Sequence, residues 1–151
     1  MTPSNIKKLQ ASLENVQLEE SHISWIIFTE QFAYKISKPI CLPYLDFSTL
    51  EKQKKYCEEE VRLNSRLTDG IYLGVVTIRL SNKILSIDES QGDIVGYAIK
   101  MKRLPEERLM SRMLKANTVD SGHIRAIADQ LVRFHKAATP VVELPSIKSL
   151  H

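Results

Sequence analysis

Apolar positions recur with two different periods along the 151-residue chain, and each change of period marks a new element. Ile6, Leu9 and Leu13 stand at helical spacing behind Ser4, whose hydroxyl can cap a first turn. The pattern then turns strand-like. "SHISWIIFTE" (21–30) and "FAYKISKP" (32–39) predict a hairpin around a tight reversal. Alternation in the second run sends Phe32, Tyr34 and Ile36 to one face and Ala33, Lys35 and Ser37 to the other. Pro39 and Pro43 bound a loop that runs to Phe47.

At "STLE" the period lengthens. Ser48, followed three residues on by Glu51, makes a capping box and predicts a helix from Ser48 to about Leu67, closed by "TDG". Three β-rich runs follow: "IYLGVVTIRL", "KILSID" and "IVGYAIKM". Pro105 opens another helix as its first residue, with Leu109 and Met113 on one face. A last helix from about Ser121 to Ala138 carries Ile124, Ile127, Leu131 and Phe134, and Pro140 stops it. The remaining "VVELPSIKSLH" has no clean period. This order of helices and strands predicts the α+β class.

The helix after Ser48 contains "CEEEV", and its three glutamates differ. At about 100° per residue, Leu50, Cys57 and Val61 form one stripe, and Tyr56, Leu63 and Leu67 a neighbouring one. Glu59 falls on the opposite side and Glu58 on a polar flank, but Glu60 and Asn64 fall between the two apolar stripes. An unpaired buried carboxylate costs several kcal/mol. Glu60 therefore either meets a strand lysine such as Lys35, or snorkels to the edge and pairs with a surface base.

Composition narrows the partners. With 43% apolar and 26% charged residues, the chain has the profile of an ordinary globular domain. A net charge of +3 is too small to point to nucleic acid or a membrane surface. The basic segment "EKQKK" lacks interleaved aromatics beyond Tyr56. The longest apolar run is "WIIF", against the roughly 20 residues that span a bilayer. Cys41 and Cys57 have no His or Cys at metal-site spacing. They are expected to be reduced, partly buried thiols of a cytoplasmic protein.

A strand with Ala33-x-Lys35, a helix presenting Glu60, further strands and the exit "MKRLP" resemble the N-terminal lobe of a protein-kinase-like fold. In that fold the lysine precedes the glutamate helix, as Lys35 does. Lys100, in the echoing "YAIK", follows it and falls on the lobe's last strand. The blocks "YKISKP", "LDFSTLE" and "CEEEVRLN", with "IYLGVV" and "YAIKMKRLP", are similar to a bacterial aminoglycoside-phosphotransferase-like family. Members of that family typically join this region to a P-loop ATPase domain. The resemblance covers most of residues 20–135. It implies a kinase-like lobe over 1–104, a mostly antiparallel sheet with one packed helix, and the first helices of a second lobe over 105–151. It also implies that Lys35 contacts the α- and β-phosphates of ATP, bound with Mg, and that Glu60 holds Lys35 in place. Backbone groups around Met101, Lys102 and Arg103 would bind the adenine edge. The implied partners are a nucleotide and a P-loop ATPase domain in a longer protein, not a membrane or nucleic acid.

The chain departs from the family pattern in several places. The turn "TEQ" has no glycine, and Glu30 stands where the family commonly has one to bring backbone amides to phosphate. None of His22, His123, His135 and His151 has an Asp two residues on, so the catalytic loop is not found. "LDFS" (45–48) imitates the metal-binding Asp-Phe-Gly but precedes the glutamate helix, so Asp46 is not expected to hold metal. No G-x-x-x-x-G-K-[ST] occurs. Two functions are then open. One is the ATP-binding portion of a kinase-like small-molecule phosphotransferase, inactive alone. The other is a non-catalytic interaction or regulatory domain in which Lys35 and Glu60 are a structural pair.

Overall fold

A computed structural model describes residues 1–139, which fall into two compact units, Met1–Glu106 and a second beginning at Glu107. The first unit runs α1 (Pro3–Ala11), β1 (Gln17–Glu20), β2 (Ser24–Phe28), β3 (Phe32–Ser37), β4 (Cys41–Leu42), β5 (Leu45–Asp46), α2 (Leu50–Asn64), β6 (Tyr72–Ser81), β7 (Ile84–Ile87) and β8 (Asp93–Lys102). Thr2, not Ser4, caps α1, accepting the Asn5 N–H at 3.2 Å. Pro3 presets the first turn and draws the helix start two residues earlier.

Six strands form one antiparallel sheet in the order β1-β2-β3-β8-β6-β7. β1 carries almost no apolar signal ("QLEE") and pairs as an edge. The expected loop after Pro39 holds the two-stranded ribbon β4–β5, with Cys41 exposed rather than partly buried.

Register separates the two faces. Tyr34 stands opposite Ile27 and Lys100, whereas Lys35 stands opposite Ile26 and Ile99. The Tyr34 face packs against α1, burying Ile6 and Leu9 among Trp25, Ile27, Ile36, Ile78, Leu85 and Ala98. The Lys35 face receives α2 across β6 and β8. The sheet therefore has one helix on each face, not a single packed helix, and its main apolar core lies under α1. The last turn of α1 leads to Ser12, whose single hydroxyl proton is shared between the carbonyls of Leu9 and of Leu85 on the outermost strand, both 2.8 Å from the oxygen.

α2 begins one residue later than the Ser48–Glu51 box predicts. Thr49 is the cap, accepting from the Lys52 N–H at 3.2 Å. Asp46 explains the shift: its carboxylate takes the Ser48 N–H at 2.9 Å and the Lys52 ammonium at 2.5 Å, holding Ser48 in the turn before the helix. The helix also ends at Asn64, short of Leu67. Of its expected apolar stripes Cys57 is buried, at 2% exposure, but Leu50, Tyr56 and Leu63 are 38%, 37% and 42% exposed, so the stripes as a whole do not form the contact face.

After β8 the single helix expected from Pro105 is a 3-10 turn (Glu106–Arg108) and a short α3 (Met110–Lys115). No Ser, Thr, Asn or Asp stands between Pro105 and Met110 to cap a longer helix. α4 (Ser121–Ala137) has a full capping box: Asp120 accepts the His123 N–H at 2.9 Å, and His123 Nδ1 accepts the Asp120 N–H at 3.2 Å. Pro140 and the tail beyond it lie outside the described residues. Among the described residues no helix is long and apolar enough to cross a membrane.

Candidate functional site

The site is built on Lys35, the fourth residue of β3. Lys35 Nζ donates to both oxygens of Glu60, at 2.7 and 2.9 Å. Of the two alternatives for Glu60, the structure shows pairing with the strand lysine. The two side chains keep 24% and 28% of their surface exposed, so the pair is sheltered but reachable from solvent.

The face of α2 that meets the sheet is polar along its length. Gln53 is buried and donates to the Phe47 carbonyl at 2.8 Å. Cys57 is 2% exposed, and burial pushes its thiol up to about 11, with the negative Glu60 adding to the effect. Asn64 donates to the Tyr72 hydroxyl at 3.1 Å. Glu59 pairs with Arg62 on the outer side, and Glu58 lies 3.7 Å from Lys54. Three adjacent glutamates thus have three environments, and only Glu60 faces the sheet. The shift from the expected apolar arc to a Gln53–Cys57–Glu60–Asn64 face has a chemical cause. Lys35 and Ser37 on the opposing strand need polar partners, and a leucine there would leave the ammonium unpaired.

Met101 shares the Lys35 face, since it pairs with Ala33 two rungs along β3. Lys102 pairs with Phe32 and belongs to the other face. The Lys102 N–H donates to Ile71 and the Arg103 N–H to Gln31, both at 2.9 Å. Those two amides are therefore occupied by carbonyls of the chain itself. The next amide, on Leu104, has no hydrogen-bond partner among the described residues, and Pro105 has no N–H to offer.

The Lys35 face has two distinct ends. The turn at Thr29–Gln31, which holds Glu30, joins β2 to β3 beside Arg103, where β8 leaves the sheet. The turn at Ser21–Ile23 joins β1 to β2 at the far end, where Ser24 pairs with Ser37. Its closure is local: the Ser21 hydroxyl accepts the Ser24 N–H at 3.0 Å, and the Lys38 N–H donates to the Ile23 carbonyl at 2.9 Å. Lys35 lies between the two ends.

Lys100 is not part of this arrangement. It donates to Asp88 at 2.7 Å and lies 4.5 Å from the Phe32 ring centroid, on the α1 side of the sheet. The hydrogen bond to Asp88 raises its pKa above the usual lysine value. Asp46 is held well below the usual carboxylate range by its bond to Lys52. No group of three or more potential metal ligands occurs among the described residues.

Comparison with known proteins gives relatives but no function. The chain is 28% identical over 123 residues to uncharacterized proteins of Mycobacterium bovis and of two strains of Mycobacterium tuberculosis. The match takes in 82% of this chain and 23% of those proteins, so the chain spans about a quarter of the length of the curated relatives it matches. No family model and no solved structure matches it.

Proposed function

We propose that the unit Met1–Glu106 is the nucleotide-holding lobe of a kinase-like small-molecule phosphotransferase that takes ATP with Mg. The observation that carries this reading is the two-pronged Lys35–Glu60 bond, with the lysine on a strand before the glutamate helix. An ammonium has three N–H groups. Glu60 accepts two of those of Lys35, which leaves the third for a phosphate oxygen, so the pair fits the group it would hold.

Sheet order supports the same reading. β1, β2 and β3 lie side by side, followed by β8, the strand that leads to the exit. On this reading the base lies at the exit end, with the Leu104 amide as the free backbone donor for its edge. The phosphates lie toward Lys35 and the Ser21–Ile23 turn. Glu30 then stands at the base end, and its charge does not oppose the phosphates. The curated relatives are long enough to carry a second lobe and a P-loop ATPase domain besides this region.

Calorimetry with Mg-ATP is the test. Binding by the chain that Lys35→Ala weakens about tenfold or more supports the assignment. Equal affinity in that variant would sink it. A chain that binds no nucleotide at all would favour the interaction-domain reading.

A further inference from the structure

Arg103 is anchored at four points. Its N–H donates to the Gln31 carbonyl at 2.9 Å. Its Nη1 donates to the Thr29 carbonyl at 2.8 Å and its Nη2 to Gln17 Oε1 at 2.7 Å. Its guanidinium carbon lies 5.5 Å from the centroid of the Phe28 ring. One side chain thus ties the exit of β8 to the β2–β3 turn, to β2 and to the edge strand β1.

We propose that Arg103 is a positioning residue that fixes the Leu104 amide for the edge of a purine base. The inference rests on the nucleotide reading above and adds a specificity device to it. The peptide bond that carries the Leu104 N–H begins at the Arg103 carbonyl, so whatever fixes Arg103 fixes one end of that peptide plane. Pro105 fixes the other end, because a residue before proline is driven to extended backbone. The free amide therefore lies between two constrained residues, and holding it ready lowers the ordering cost of binding a base. Only an arginine can supply the device. Its planar fork reaches two acceptors and stacks on a ring at once, whereas a lysine in its place reaches one acceptor as a point charge.

Separate ligands for the two ends of the face give the test. Adenosine probes the base end, and Mg-tripolyphosphate probes the Lys35 end. Calorimetry on the full chain should show Arg103→Lys weakening adenosine about tenfold while changing tripolyphosphate less than about twofold. Lys35→Ala should do the reverse. A merely structural role for Arg103 would lower both affinities together, and that outcome overturns the proposal. So does unchanged adenosine affinity in Arg103→Lys when the parent chain binds both ligands, and in that case the nucleotide reading stands. A parent chain that binds neither ligand removes the reading and this inference with it. If Arg103→Lys proves too unstable to assay, Gln17→Ala removes one acceptor of the fork. It should then weaken adenosine selectively, and equal loss of both ligands counts against the proposal.

Discussion

Lys35 and Lys100, the lysines of two matching Ala-x-Lys steps, stand on opposite faces of one sheet, Lys35 opposite Ile99 and Lys100 opposite Tyr34. A single-residue offset in register produces this, because side chains alternate along a strand. Lys35 faces the helix that supplies Glu60. Lys100 faces α1 and is engaged by Asp88 and the ring of Phe32. Equal local sequence has given the two lysines unequal chemistry.

The Lys35–Glu60 bond is sheltered but a quarter exposed, so its strength lies between a surface pair and a buried one. A double-mutant cycle with Lys35→Met and Glu60→Gln should give a coupling of about 1 kcal/mol in denaturant melts. A value of 3 kcal/mol or more would indicate a pair sealed from water.

Cys57 gives a pH signature. Its folded pKa of about 11 exceeds the ordinary 9.0. A raised value means that the protonated thiol favours the folded state. That stability is fully present below pH 9 and is lost as pH rises through 11. The parent should therefore lose more stability between those limits than Cys57→Ala, by at most about 2–3 kcal/mol. At neutral pH a thiol reagent should modify the exposed Cys41 first.

The start of α2 separates two neighbouring hydroxyls. Thr49→Ala removes the oxygen that accepts the Lys52 N–H and should cost about 1 kcal/mol in a thermal or denaturant melt. Ser48→Ala should cost less than about half of that, since the Ser48 hydroxyl caps no amide of the helix and the Ser48 backbone N–H that Asp46 accepts survives the change. The reverse order would restore Ser48 as the cap.

Two glycines with positive φ should respond differently to alanine. At Gly92, φ is +98°, and a Cβ would meet the Leu80 carbonyl oxygen at 2.6 Å. At Gly74, φ is +132°, and a Cβ would meet nothing within 4 Å. Backbone strain alone should cost Gly74→Ala about 1–3 kcal/mol. Gly92→Ala should exceed that, because the hairpin backbone must also move. Urea melts of the two variants make the comparison.

Much of this arrangement is legible in the sequence, and the rest is hidden for physical reasons. Alternation along "FAYKIS" places Lys35 correctly, because a strand has only two faces. The helical projection singles out Glu60 correctly but misjudges its surroundings. It counts Leu50, Tyr56 and Leu63 as inward along with Cys57; Cys57 is buried as expected, but the polar needs of the opposing strand turn Gln53 inward in place of the other three. Ser48–Glu51 is a genuine capping pattern that a tertiary contact from Asp46 overrides. β1 is illegible because an edge strand that buries little leaves no apolar alternation. Arg103 is missed as a side chain because its partners Gln17 and Thr29 are 86 and 74 residues away along the chain. Several basic residues cluster at the strand's end, and nothing local marks that one.

The hydroxyl of Ser12 on the Leu85 carbonyl has a consequence for how the chain behaves in company. A sheet with two open margins invites strangers to extend it. At one margin the exposed strand β1 carries Glu19 and Glu20, the latter paired with Lys38 at 2.6 Å. At the other, α1 reaches past the core and covers part of the hydrogen-bonding rim. The helix is thus also a guard against fibre-like stacking. Ser12→Ala, which keeps Ile6 and Leu9 in the core and frees the Leu85 carbonyl, should sediment as larger species at rising concentration, at temperatures where the parent sediments unchanged.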